Sequence, residues 1–448
     1  MTQQLSDLTE ALLFAALQAG ADAADAIAVR GTSLSIDVLD GKLEHAERAE
    51  GTDIGMRVLI GKRQACVSAS DTRPDTITTM AERAVAMARE APDDPYIGLA
   101  EPEQLARDWD TSFLQLSDPA AEPAPAELEE HAKRAEATAK GVKGVTKVQA
   151  TSAGYGRNLI HLAATNGFSG GYERTNRALS CVAITGSGTK MERDYYGESR
   201  VFQNDLPTPE DVGRLAGERT AARAGARKPK TGAYPVVFDE RIASSLIGHL
   251  LMATNGIAIV RGASWARDLL GEQVLPKGLS IIEDPHRVRI SGSRPFDAEG
   301  LPTQRRAIVD DGVLTGWTMD LTTARNLGME STASASRGTS SPPSPSISNI
   351  ALSQGDKSQQ DLLRDIGTGL LVTSLIGSSI NATTGDYSRG ASGFWIEKGE
   401  IAFPVNECTI AGNLKDMLRT IIPANDGRAY LSRVVPSLLV SGLTIAGE

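Results

Sequence analysis

The stretch SSLIGH (244–249) places two serines and a histidine within the apolar run 241–253. If this run is a helix, Ser245 lies one turn before His249, so their side chains can meet, and His249 falls on the apolar stripe. The simplest interpretation is a buried histidine that is hydrogen-bonded to a serine or a backbone carbonyl. A Ser245–His249 hydrolase would also need an orienting acid and oxyanion donors, and no neighbouring residue supplies them. A lone histidine makes a poor zinc site, because catalytic zinc takes three protein ligands.

A second segment, TGDYSRGASGFW (384–395), gathers charged and aromatic residues between glycines. Its candidate substrate-binding residues are Asp386, Tyr387, Ser388, Arg389, Phe394 and Trp395. In a functional interpretation, Arg389 pairs with a carboxylate or a peptide carbonyl, the aromatic rings pack on substrate side chains, and an edge strand accepts an extended peptide. In a structural interpretation, the segment is a turn with an Asp386–Arg389 ion pair above core aromatics. The sequence leaves both open.

Two further regions carry possible ligands. His286, Asp297 and Glu299 share a loop-rich region where metal binding is conceivable, although a histidine that follows a proline in a turn is more often simply exposed. The glycine-rich TNGFSGGYE (165–173) lacks the lysine and hydroxyl residue of a phosphate-binding loop, which favours a turn. Neither region predicts a metal or nucleotide site.

Composition narrows the class of protein. The chain has 448 residues, 46 basic and 56 acidic, for a formal net charge of −10, which argues against non-specific DNA binding. Its three widely spaced cysteines form no local metal motif and indicate reduced thiols. We find neither a signal-peptide pattern nor an apolar run long enough to span a membrane. We therefore expect a cytoplasmic protein without a membrane or direct nucleic-acid partner.

The periodicity predicts an α+β protein. Apolar residues at helical spacing predict helices over 5–19, 74–91, 126–141, 208–226 and 241–253. Turn residues between alternating segments predict hairpins at Asp40-Gly41, within 308–317 and within 394–403. The proline- and serine-rich 336–348 is expected to be a long loop.

The order of these elements suggests four regions. A first α/β unit is expected at 1–95, a connector at 96–125, a second α/β unit at 126–229, and a β-rich domain at 230–448. Both N-terminal units have the order helix, strands, helix, which hints at a duplication.

The stretch NATTGDYSRGASGFWIEKGEIAFPVNECTIAGN (381–413) resembles the TldD/PmbA family, and in particular its PmbA (TldE) branch. Residues 293–328 and the C-terminal VPSLLVSGLTIAGE support the resemblance, which covers almost the whole chain. The family was once described as modulators of DNA gyrase and is now regarded as a peptidase system. The resemblance implies an α/β N-terminal region, a β-rich C-terminal domain and pairing between members.

In the TldD branch, the helix at this position carries H-E-x-x-x-H, with two zinc-binding histidines and a glutamate base, and a cysteine near the C-terminus is the third ligand. Here Ser244 and Ser245 stand at the first histidine and the glutamate, and His249 stands at the second histidine. The region IIPANDGRAYLSRVVPSLLVSG contains no cysteine. The resemblance therefore implies vestigial positions, no catalytic residue and no metal in this chain, with zinc expected in a partner subunit.

Three hypotheses follow. The leading one is a metal-free subunit of a two-component cytoplasmic peptidase that processes unfolded or small peptides, with a TldD-type zinc partner doing the hydrolysis. The alternative is a non-enzymatic homodimer that binds peptides or modulates gyrase. The third is an independent hydrolase that uses Ser245 and His249.

Overall fold

The structure, a computed structural model, describes residues 2–448, so Met1 of the predicted first unit lies outside it. The N-terminal half repeats one arrangement, in which two helices flank three antiparallel strands. The first copy consists of α1 (Thr2–Gln18), β1 (Ala23–Leu39), β2 (Lys42–Ile60), β3 (Arg63–Ala69) and α2 (Pro74–Glu90). A connector with the short helix α3 (Thr111–Leu114) follows. The second copy consists of α4 (Pro125–Gly141), β4 (Val145–Ala164), β5 (Ser169–Thr185), β6 (Glu192–Arg200) and α5 (Pro209–Ala221).

The two copies share one six-stranded sheet, in the order β3-β2-β1-β4-β5-β6, because β1 and β4 pair antiparallel at its centre. Strand alternation sorts the two faces of the sheet. Ala26 and Leu34 of β1 lie in the clusters packed by the four long helices, whereas Ile27 lies with Phe296 of the C-terminal domain. The predicted helix–strands–helix units are confirmed, and one face of their sheet supports the rest of the molecule.

Local sequence accounts for most of the element boundaries. Asp40 and Gly41 both have positive φ, at 52° and 71°, as a tight hairpin turn between β1 and β2 requires. The helix predicted over 208–226 ends earlier, at Ala221. Near the end of α2, Met87 is 44% exposed and the neighbouring Ala88 is buried.

The C-terminal domain is rich in short strands. It begins with β7 (Gly232–Phe238), α6 (Glu240–Ala253) and α7 (Gly256–Val260). Its middle part contains β8 (Ile281–Glu283), β9 (Arg306–Asp310), β10 (Val313–Leu314), α8 (Leu321–Leu327), β11 (Ala335–Ser336), β12 (Ser344–Pro345), β13 (Ile350–Leu352) and α9 (Gln359–Ile366). Its last part contains β14 (Gly369–Ile380), β15 (Asp386–Glu397), β16 (Glu400–Asn413), α10 (Leu414–Arg419), β17 (Ile422–Pro423), β18 (Arg433–Val434) and β19 (Leu438–Ala446). The hairpins predicted within 308–317 and 394–403 are confirmed as β9–β10 and β15–β16.

The main C-terminal sheet has the order β16-β15-β14-β7-β19-β17, and β16 also pairs with β19. Five strands therefore form a closed ring. Helix α6 directly follows β7, and its apolar side, which includes Leu246 and Leu250, packs in the largest hydrophobic cluster of this domain with Tyr387 and Trp395 of β15. This packing fixes the position of the SSLIGH segment against β15.

The segment predicted as a loop, 336–348, lies against the first N-terminal unit. Its ends pair briefly as β11 and β12. Arg337 forms an ion pair with Asp25 of β1, and the backbone of Thr339 lies so close to Gly55 that a Cβ there would come within 2.1 Å of the Thr339 carbonyl oxygen. None of the helices within residues 2–448 is long and apolar enough to cross a membrane.

Candidate functional site

Helix α6 borders a cavity of about 570 Å³ between the second N-terminal unit and the C-terminal domain. The helix begins after Asp239, whose side chain accepts a hydrogen bond from the Arg241 backbone N–H, and it presents Ser244 and Ser245 to the cavity. The opposite wall comes from β4, β5, β6 and Arg223, which follows α5, and the remainder comes from β14 and Arg389 of β15. The volume lies within the range of small-molecule and peptide sites.

Ser245 and His249 do not form the pair that their spacing allows. The Ser245 hydroxyl donates to the carbonyl oxygen of Ile242 at 2.7 Å, one turn back along the helix. His249 Nε2 is buried without a hydrogen-bond partner in residues 2–448, so the expectation of a hydrogen-bonded core histidine is wrong for this nitrogen. The ring of His249 meets that of Tyr387 edge to face, with centroids 5.8 Å apart.

Burial sets the protonation of this pair. It lowers the pKa of His249, and the nearby Arg389 guanidinium lowers it further, so the imidazole is neutral at neutral pH. Burial also raises the pKa of Tyr387 to about 12, which keeps its hydroxyl protonated. Neither group is poised to act as a charged nucleophile.

Asp386 and Arg389 do not form the ion pair that the structural interpretation required. Residues three apart on a strand point to opposite faces, so the two side chains diverge along β15. Asp386 accepts hydrogen bonds from the Thr384 hydroxyl at 2.6 Å and the Asn413 amide at 3.0 Å. Arg389 instead lines the cavity, and its Nε donates to the Gly377 carbonyl oxygen at 2.7 Å.

The other residues predicted to bind substrate lie away from the cavity. Trp395 is buried in the core and packs edge to face on Tyr234, at 4.9 Å between ring centroids. Phe394, on the opposite face of β15, packs against a separate cluster that includes Leu362 and Leu363 of α9. Ser388 is half-buried near the start of β15, where it pairs with Ala411. Of the six predicted residues, the structure brings only Arg389 to the cavity wall, with Tyr387 behind it against His249.

Sequence reasoning missed three arginines of the cavity, Arg193, Arg223 and Arg241. They come from β6, from the segment after α5 and from the first turn of α6. Arg241 and Arg223 both pair with Asp194, at 3.2 Å and 3.6 Å. No spacing in the sequence connects these three residues.

The residues at the TldD zinc positions do not fit a zinc ion. Helix α6 offers one imidazole and two serine hydroxyls, and hydroxyls are weak zinc ligands at neutral pH. Across residues 2–448, no group of three or more His, Cys, Asp and Glu side chains is arranged to hold a metal ion. His286, the other candidate ligand, has its Nε2 3.1 Å from the Thr303 hydroxyl, while Asp297 accepts backbone N–H bonds.

Comparisons with known proteins agree with this architecture. Three family models match, described as PmbA/TldA metallopeptidase domain 1 (24–88), central domain (118–224) and C-terminal domain (231–447). The chain is 37% identical to Metalloprotease PmbA of Escherichia coli O157:H7, over 95% of this chain and 93% of that protein. It is 33% identical to a Metalloprotease PmbA homolog of Haemophilus influenzae, over 99% of this chain and 97% of that protein.

Two solved structures have the same fold. A protein of Bacteroides thetaiotaomicron, named as a candidate modulator of DNA gyrase, superposes with a TM-score of 0.91 at 28% identity and covers 99% of this chain and 98% of its own. TldE of Thermococcus kodakarensis superposes with a TM-score of 0.85 at 20% identity, over 98% of this chain and 100% of that protein. At this level of identity the similarity supports only a shared fold. From the three family matches and the full-length similarity to PmbA proteins, the chain belongs to the PmbA/TldD metallopeptidase family.

Proposed function

We propose that this chain is the metal-free, substrate-holding subunit of a two-component peptidase, in which a TldD-type partner carries zinc and hydrolyses the peptide bond. The observation that carries the proposal is the donor set of α6. Ser244 and Ser245 face the cavity where a metal-dependent relative needs a ligand and a base, and one imidazole remains. A water molecule at this position would find no free carboxylate to take up its proton, since Asp194 is engaged by two arginines.

The substrates we propose are unfolded or small peptides, and the compartment is the cytoplasm. A cavity of about 570 Å³ with polar and apolar walls suits an extended peptide segment better than a folded protein. The three cysteines are free thiols, which supports a reducing compartment. The similarity to proteins named Metalloprotease PmbA supports a role in proteolysis.

The test combines metal analysis with reconstitution. The purified chain should contain no stoichiometric zinc and should not cleave peptides. With a TldD-type partner from the same cell, it should form a stable complex that cleaves peptides and is inhibited by a chelator. Chelator-sensitive cleavage or stoichiometric zinc in the chain alone would contradict the proposal.

A His249→Ala variant is the matched control for the independent hydrolase. If Ser245 and His249 performed catalysis, the substitution would abolish any activity of the isolated chain. We expect instead no activity in either form, because the Ser245 hydroxyl is directed to a backbone carbonyl. Sedimentation of the isolated chain and of the mixture distinguishes the heteromeric subunit from a homodimeric binding protein.

A further inference from the structure

Arginines outnumber carboxylates in the wall of the cavity beside α6, although the chain is acidic overall. Four arginines line it, Arg193, Arg223, Arg241 and Arg389, against one carboxylate, Asp194. The formal net charge of the whole chain is −10. A basic recess in an acidic molecule concentrates anions at that place and disfavours them elsewhere.

Two of the four arginines lack an internal counter-ion. Arg223 and Arg241 share Asp194, and each has a second carboxylate, Glu192 and Asp239 respectively. Arg193 and Arg389, by contrast, form no ion pair with any carboxylate of residues 2–448. Arg389 is half-buried, and its Nε donates a hydrogen bond to the Gly377 carbonyl oxygen. A partly desolvated guanidinium of this kind is stabilised by an anion from outside the chain.

A buried hydroxyl points to the same kind of ligand. Thr373 of β14 lines the cavity, is 5% exposed, and its Oγ1 has no hydrogen-bond partner in the part of the chain that the structure describes. Buried polar atoms are almost always paired, so an unpaired one inside a cavity indicates a missing partner. A guanidinium can only donate, so Arg389 can hold an acceptor such as a carboxylate oxygen, and the Thr373 hydroxyl, farther along β14, can donate to a second acceptor such as a peptide carbonyl oxygen.

The remaining residues of the cavity wall indicate what kind of molecule contains these acceptor groups. Ile242 and Leu375 supply aliphatic surface, and the side chain of Tyr195, 56% exposed, adds an aromatic face. A free phosphate ion would gain nothing from these groups, whereas a peptide carries both a carboxylate and apolar side chains. The planar fork of arginine also matches a carboxylate in two-point contact.

We propose that this cavity binds a peptide, with a carboxylate of the peptide held by Arg389, a further acceptor along the peptide held by the Thr373 hydroxyl, and an apolar side chain on Ile242, Leu375 and Tyr195. The inference rests on the proposed function, since it names the part of the peptide that this subunit holds. The carboxylate is that of the peptide C-terminus or of an acidic side chain, and the chemistry of recognition is the same.

The test is peptide binding to the full-length chain alone, measured by fluorescence anisotropy with an uncharged label. Three short peptides of one sequence are compared: one with a free C-terminal carboxylate, its C-terminal amide, and the amide with one internal glutamate. We expect the free acid to bind about tenfold more tightly than the amide, or tighter still. If the internal glutamate restores the binding of the amide peptide, the site accepts side-chain carboxylates. If the glutamate does not restore binding, the site recognises the C-terminal carboxylate specifically.

Variants then assign the binding to the cavity. Arg389→Gln should reduce the affinity for the free acid to that for the amide, and Arg389→Lys should give an intermediate value because it keeps the charge and loses the fork. Thr373→Val should weaken binding about threefold to tenfold without lowering the unfolding temperature, because its hydroxyl has no partner to lose. Arg305→Gln, which removes an exposed arginine outside the cavity, should leave binding unchanged.

Equal binding of the three peptides, no binding of any of them, or tight binding of inorganic phosphate without a preference for peptide carboxylates would overturn the inference. Because the assay contains no partner and no zinc, these outcomes do not depend on complex formation or cleavage. Failure of reconstitution would count against the proposed function and would leave a measured carboxylate preference intact.

Discussion

The His249 ring contacts the ring of Tyr387, and its buried Nε2 has no hydrogen-bond partner among residues 2–448. Protonation would place a cation beside Arg389 in a poorly solvated position, and for this reason its pKa is lowered. At the scale of single residues the site is therefore made of neutral, unpaired groups next to guanidinium groups. This arrangement favours holding an acceptor over donating protons to a reaction.

The lowered pKa of His249 predicts a stability change on the acid side. The unfolded chain takes up the proton near the ordinary value of 6.5 while the folded chain does not, so the free energy of unfolding falls as the pH drops below about 6.5. His249→Gln removes this group and should make urea midpoints less sensitive to pH between about 7.5 and about 5.5. His161, whose pKa is also lowered by burial, contributes equally to both proteins. A variant with the same pH dependence as the parent would contradict this assignment.

Only part of the site was predictable from single residues. The spacing in 244–249 and the segment 384–395 led to α6 and Arg389, because helical periodicity and the resemblance are local signals. The spacing of Asp386 and Arg389 suggested an ion pair that the structure does not contain. Side chains three residues apart meet on a helix but point to opposite faces of a strand. Arg193 and Arg223 could not be found from the sequence, because they reach the cavity only once the second N-terminal unit packs on the C-terminal domain.

At the scale of elements, the helices were easier to predict than the strands of the C-terminal domain. A helix of thirteen or more residues, such as α5 or α6, repeats its apolar pattern several times. A two-residue strand such as β17 has no period, and its pairing with β19 depends on residues far away in the chain. The closure of the ring through β16 and β19 is likewise a long-range contact without a local signature.

Helices α4 and α5 pack closely through a glycine, which gives a prediction at this scale. A Cβ on Gly213 would lie 2.1 Å from the Ala135 carbonyl oxygen. Gly213→Ala should therefore destabilise the protein by about 1–3 kcal/mol, although alanine is the better helix former. The measurement is the urea unfolding free energy.

The control is Gly141→Ala at the end of α4, where a Cβ would meet no described atom within 4 Å. This substitution should be neutral or stabilising by up to about 1 kcal/mol. If both substitutions have the same sign, the close packing of α4 on α5 is not what constrains Gly213.

At the scale of the whole molecule, a buried ion cluster joins the first N-terminal unit to the C-terminal domain. Asp25 accepts hydrogen bonds from Arg57 Nε at 2.6 Å and also pairs with Arg337, whose side chain is fully buried. Asp25→Asn would leave two buried guanidinium groups without a carboxylate and should cost about 3–5 kcal/mol of unfolding free energy. Glu50→Gln, in the exposed pair with Arg48, should cost less than about 1 kcal/mol. Similar losses for the two variants would show that the cluster does not hold the domains together.

Glu299 lies at the same junction. Its effect on the free energy of unfolding has the opposite pH dependence to that of His249. The residue is half-buried, its Oε1 is shielded from solvent, and it lies beside a void of about 10 Å³, too small for more than a water molecule; its Oε2 accepts the Leu321 N–H at 2.8 Å. Burial, and then the charges of Asp297 and Asp320, raise its pKa well above the ordinary value. The folded chain therefore retains a proton that the unfolded chain releases, and the free energy of unfolding decreases as the pH rises above about 4.5 towards the folded pKa.

Glu299→Gln keeps the shape of the protonated side chain and removes the titration. The variant should gain stability relative to the parent as the pH is raised from about 5 to about 8, as measured by urea midpoints across that range. Glu330→Gln, the same substitution at an exposed position, controls for the loss of one negative charge. A constant difference between Glu299→Gln and the parent across this range would mean that Glu299 does not keep its proton in the folded chain, and that the junction accommodates a carboxylate instead.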